Sequence, residues 1–84
     1  MSEQISRVKQ FEIMKALQDG PKIGTDIASA VQIEPISFLP NMGALEQNGF
    51  VEVIEQRING TMTVRPFYEL TELGQNVLIV IGSS

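Results

Sequence analysis

The 84-residue sequence contains no cysteine and no histidine. Without cysteine there is no disulfide staple, no thiol nucleophile and no thiol redox sensor. With histidine also absent, a Cys–His zinc site, an imidazole base and a Ser-His-Asp triad are excluded. Long apolar runs are missing too. The longest, Val77 to Ile81, spans five residues, against the roughly 20 that a membrane helix needs. Met1 to Gln10 is polar and mixed in charge, so no secretory signal is visible and a cytoplasmic location is expected. Positive charge is scarce in one particular stretch: no Lys or Arg occurs between Lys22 and Arg57.

What remains is a chain of one domain's length, expected to fold as a single unit over residues 1–84. At this size only about 60–65% of the unfolded surface is buried on folding, so a further source of stability is expected. A second copy of the chain is the obvious candidate. Six basic and ten acidic residues leave a net charge of −4, an awkward balance for any partner that is a polyanion.

Apolar positions Ile5, Val8, Phe11, Met14 and Leu17, with Ile13, predict a first helix over Ile5 to Gln18. Asp19-Gly20-Pro21 should stop it, because Gly accepts positive φ and Pro cannot continue a helix. A short second helix is expected over Ile23 to Val31, with Thr25 as its N-cap and Ile27, Ala28 and Val31 inward. Gln32 to Pro35 turns the chain. A third helix then runs to about Asn48, with Phe38, Met42 and Leu45 as its core stripe. A start with Ser37 as N-cap would place Pro40 harmlessly in the first turn; a start near Glu34 would make Pro40 interior and kink the helix. The later start is preferred.

From Phe50 the pattern changes to β. Phe50 to Ile58 and Thr61 to Leu70 flank Asn59-Gly60, the strongest short-range hairpin signal. A two-residue turn there predicts Arg57 opposite Met62 and Ile54 opposite Arg65, with the two arginines on opposite faces. Pro66 must lie at an edge or beyond the paired part. Phe67 and Tyr68 should give one core and one partly exposed aromatic. Thr71 and Glu72 open a last helix to about Ile81, whose Leu78-Ile79-Val80-Ile81 is apolar on all sides.

Three helices, a hairpin and a closing helix make an α+β, mostly helical order. The stretch Leu45-Glu46-Gln47-Asn48-Gly49-Phe50-Val51 resembles the end of the recognition helix and the start of the wing in MarR- and PadR-type transcriptional regulators. Arg65-Pro66-Phe67-Tyr68-Glu69-Leu70-Thr71-Glu72-Leu73-Gly74 resembles their wing exit, and Ile13-Met14-Lys15-Ala16-Leu17 their first helix. The resemblance covers most of the chain. It implies a winged helix-turn-helix fold that binds double-stranded DNA, with the third helix in the major groove and the hairpin at the neighbouring backbone.

With the core stripe inward, the outward positions of the third helix are Ile36, Ser37, Leu39, Pro40, Asn41, Gly43, Ala44 and Gln47. Asn41 and Gln47 can pair with adenine, and Ser37 can bond a base or a phosphate. The wing offers Gln56, Arg57, Asn59, Thr61 and Thr63, with Arg65 on its second strand. Lys22 is placed to reach a phosphate. The surplus apolar surface on the first and last helices either fills one core or packs across a two-fold axis as a homodimer.

Each of these readings has a plainer counterpart. Asn41 and Gln47 are also ordinary surface amides, and Arg57 and Arg65 can pair with Glu55 or Glu69. A cation-free, partly apolar third helix also suits docking of a protein instead of DNA. Asn59-Gly60-Thr61 matches a glycosylation acceptor, which the hairpin already explains. Glu52/Glu55 and Glu69/Glu72 lack any partner base, so no enzyme activity, cofactor or metal is expected.

Overall fold

Ser6 opens the first helix from an extended backbone, its side chain accepting the Lys9 backbone N–H at 3.3 Å. In the computed structural model, residues 5–57, 60 and 62–82 are described. Helix α1 (Arg7–Ala16) buries Ile13 and Met14 and tightens into a 3-10 turn, Leu17–Asp19, that buries Leu17. Ile5 therefore precedes the helix instead of belonging to it. Gly20 ends the segment with φ 132° and ψ 177°, a backbone region open essentially only to glycine.

Helix α2 (Gly24–Val31) falls within the expected Ile23–Val31 span, but Ile23, not Thr25, is its N-cap, and Thr25 lies inside the helix. Ile27 and Val31 are its buried side, and Gln32 closes it in the left-handed region at φ 55°.

Helix α3 (Pro35–Gln47) corrects the expected start. Glu34, not Ser37, is the N-cap, and Pro35 takes the first helical position, where a fixed φ suits the helix and a missing N–H is no loss. Pro40 is consequently interior. Further along the same helix Phe38 lies edge-on to Tyr68, ring centres 6.1 Å apart at 78°.

Strands β1 (Val51–Arg57) and β2 (Val64–Leu70) pair antiparallel from Val51 opposite Leu70 to Arg57 opposite Val64. The expected partners, Met62 for Arg57 and Arg65 for Ile54, are replaced by Val64 and Phe67. Register is decided at the root of the hairpin, where Val51 and Leu70 are both buried, rather than by the Asn59-Gly60 signal at its tip. Gly60 has φ 68°, and Asn59 lies outside the described residues. The sum of paired positions shifts by two, which preserves the alternation of faces, so Arg57 and Arg65 still point to opposite sides.

Lys22 adds a one-residue third strand by pairing with Tyr68. Tyr68 thus aims its backbone groups away from β1, and by the two-residue period so does Pro66, whose missing N–H leaves the β1–β2 ladder intact. Helix α4 (Glu72–Gly82) is capped by Thr71, whose hydroxyl accepts the Gly74 N–H at 3.0 Å and donates to the Gly49 carbonyl at 2.6 Å. The core gathers Ile13, Met14, Leu17, Ile27, Val31, Ile33, Phe38, Met42, Leu45, Val51, Leu70 and Leu78. It lies between α1, α2 and α3 and is closed by the root of the hairpin and by α4.

Candidate nucleic-acid interface

Helix α3 turns Phe38, Met42 and Leu45 into the core. Its opposite side is uncovered: Ile36 and Leu39 are 64% and 67% exposed, Gly43 and Gln47 are exposed, and Ser37, Pro40 and Ala44 are half-buried. Leu39, Pro40, Gly43, Ala44, Glu46 and Gln47 line a shallow open groove there, with Ile5 as its far wall. Ile5 and Glu46 were not foreseen in this surface. Ile5 reaches it from ahead of α1, and no periodicity links it to α3.

Asn41 must be removed from the outward set. It is fully buried, because it lies three residues after Phe38 and four before Leu45, in the core stripe itself. Polarity suggested an outward position; helical geometry overrode it. Its amide is occupied inside the protein. Oδ1 accepts from the Ser6 backbone N–H at 2.8 Å and from Gln10 Nε2 at 3.1 Å, while Nδ2 donates to the Ser37 carbonyl at 2.8 Å.

Ser37 and Gln47 therefore remain as the polar positions expected on this face. They stand near opposite ends of α3, about 15 Å apart along its axis. Arg57 and Arg65 are exposed near the far end of the hairpin. Arg57 shares its face with Val53, Glu55 and Tyr68, the side that packs on Phe38 of α3. Arg65 shares the other face with Glu52 and Glu69, which stand opposite each other, a like-charged pair that weakens the ladder there. Phe67 and Tyr68 are both half-buried, and Tyr68 is the one packed against the core.

Lys22 sits at the root of the hairpin, half-buried, its backbone locked to Tyr68. Among the described residues the ion pair is Lys9–Glu12 at 3.4 Å, so the expected alternatives of Arg57 or Arg65 with Glu55 or Glu69 do not form. Asn59 and Thr61 lie outside the described residues. Burial raises the Tyr68 phenol above its ordinary pKa of 10.0, and the Glu46 carboxylate raises it further. Among the described residues no group of three or more Asp or Glu could hold a metal ion, and no helix is long and apolar enough to cross a membrane.

Helices α2 and α3 joined by a tight turn, with a hairpin stitched back onto them through Lys22, constitute a winged helix-turn-helix. Solved structures share this fold. A PadR family transcription regulator from Clostridium difficile R20291 superposes with a TM-score of 0.79 at 16% identity, covering 89% of this chain and 83% of that one. The transcriptional regulator YodB from Bacillus subtilis, in its reduced form, gives 0.77 at 28% identity, covering 93% and 74%. Bacillus subtilis PadR in complex with operator DNA gives 0.73 at 26% identity. That likeness covers 88% of this chain but only 46% of PadR. No protein-family model matches the sequence, and no curated protein matches it.

Proposed function

We propose that this protein is a sequence-specific DNA-binding transcriptional regulator of the PadR-like type, acting as a small homodimer. The observation that carries the reading is its likeness to a PadR solved on operator DNA, in a chain whose α3 keeps its outward face uncovered. Helix α3 enters the major groove and the hairpin follows the adjoining backbone. Ser37 and Gln47 read base edges, while the methyl-bearing Leu39 and Ala44 suit thymine methyl groups. Lys22, Arg57 and Arg65 meet phosphates, and Asn59 and Thr61 are assigned to the wing's contact with the backbone. Asn41 has no place among the base readers.

Few cations make the non-specific affinity low and its salt dependence shallow. A dimer offsets this by doubling the contacts, and it presents two α3 helices about 34 Å apart on a palindromic site. The exposed apolar residues of α4 and α1 supply the surface for it. Docking of a protein on α3 is not favoured by these likenesses. The test is selection of duplexes from a random pool, with unrelated duplex as competitor. Enrichment of two half-sites one helical turn apart is expected. Equal competition by unrelated DNA at every salt concentration would refute the reading.

A further inference from the structure

Among the described residues, Asn41 is the one polar side chain in the core, and it stands immediately after the interior Pro40 of α3. Pro40 has no N–H for the Ile36 carbonyl, and its ring presses on that carbonyl. The first turn of α3 is therefore joined to the rest of the helix by a weakened segment. The next carbonyl along, that of Ser37, is the one that Asn41 Nδ2 braces from inside at 2.8 Å. The other end of the amide reaches α1 at Ser6 and Gln10. Ser6 is the residue whose hydroxyl caps α1. One turn on, Lys9 Nζ donates to the Val31 carbonyl at the end of α2, at 3.0 Å. One buried amide thus ties the weak joint of α3 to the start of α1, which is itself tied to α2.

A buried amide is costly unless every bond is made, and a satisfied one selects a single arrangement where an apolar side chain would accept several. The turn it holds carries Ile36, Ser37 and Leu39, the N-terminal part of the helix that such folds direct at base edges. We propose that Asn41 is a positioning residue: it sets how the first turn of α3 is presented and thereby the discrimination between DNA sequences. The DNA half of this rests on the function proposed above. The brace itself does not.

The test uses Asn41→Leu, which removes both ends of the brace, and Asn41→Asp, which keeps the acceptor toward Ser6 but loses the donor toward Ser37. Each is made alone and with Pro40→Ala, which restores a backbone donor to Ile36. In the DNA-free protein, Asn41→Leu should speed amide exchange at Phe38 and Leu39 by about tenfold, with Leu45 much less affected. Its preference for the enriched duplex over unrelated DNA should fall by about tenfold with the salt slope unchanged, since no phosphate contact is lost. In the Pro40→Ala background both effects should shrink to under about threefold, the coupling expected of one shared joint. Asn41→Asp should speed Phe38 and Leu39 while leaving the Ser6 amide protected, and it carries the test should Asn41→Leu fail to fold. Uniform acceleration along α3, equal in both backgrounds, would reduce Asn41 to packing and overturn the proposal. If the wild-type protein enriches no duplex, the regulator reading fails, and the exchange measurements still decide the brace.

Discussion

Lys22 and Tyr68 exchange both backbone hydrogen bonds, the Lys22 N–H donating to the Tyr68 carbonyl at 3.1 Å and the Tyr68 N–H to the Lys22 carbonyl at 2.8 Å. The cation is thereby fixed at the root of the wing by its backbone, whatever its side chain does. Lys22→Gln should shift stability by no more than about 1 kcal/mol, because the residue is half-buried and the substitution spares both backbone bonds. It should lower the salt slope of DNA binding by about one. Arg57→Ala should do the same. Arg65→Ala should do less, because Arg65 shares its face with Glu52 and Glu69. A larger effect at Arg65 would mean that the wing meets DNA by its other face.

Tyr68 is the single tyrosine in a chain without tryptophan, so ultraviolet absorbance titrates it alone. Its folded midpoint should lie above 10.0, from burial first and the Glu46 charge second. The sign for stability follows. Below pH 10 the phenol is neutral in both states and has no effect. As pH rises past 10 the unfolded chain ionises first, so stability falls until the folded phenol also titrates. Glu46→Gln should lower the midpoint yet leave it above 10.0. A folded midpoint at or below 10.0 would contradict the burial seen here.

Element types and order were readable because each carries a local signal: the stripes in α1 and α3, Gly20-Pro21, and two β-prone runs around Asn59-Gly60. What could not be read depended on distant contacts. The hairpin register is set by Val51 and Leu70, which meet at the core. Asn41 was misplaced because a polar residue in a core stripe looks like a surface residue until its partners, Ser6 and Gln10, are seen from across the fold. The cations at Lys22, Arg57 and Arg65 were found from their scarcity, and the opposite faces of Arg57 and Arg65 were legible too, because a register shift of two preserves the alternation.

The outer side of α4 bears on the proposed dimer. Leu78 alone is fully turned inward among its large apolar residues, while Leu73, Ile79, Val80 and Ile81 are 50%, 66%, 69% and 47% exposed. Val77 and Ile81 also border a groove lined by Phe11 and Met14 of α1. Val80→Glu should leave the isolated fold intact, because Val80 is exposed in it, and should convert a dimer to a monomer by sedimentation. It should also abolish the preference for paired half-sites over a single one. A wild-type chain that sediments as a monomer at high concentration would dismiss the dimer.

Two glycines should respond to the same substitution in opposite directions. A Cβ on Gly74 would run into the Phe50 carbonyl oxygen and come within 3.0 Å of Leu70 Cδ2. That carbonyl cannot retreat freely, because it accepts the Thr71 N–H at 3.0 Å. Gly74→Ala should therefore destabilise by about 1–3 kcal/mol, overpacking outweighing the gain in helix propensity. Each kcal/mol is worth about 4–8 °C in melting temperature for a domain of this size. Gly43, inside α3, has nothing within 4 Å of a built Cβ, so Gly43→Ala should stabilise by about 0.5–1 kcal/mol. Its methyl would project from the outward face of α3, where a base edge approaches in the proposed complex. Melting temperature should then rise while affinity for the enriched duplex falls, a divergence that stability alone cannot produce. If both rise together, DNA does not come close to this part of α3.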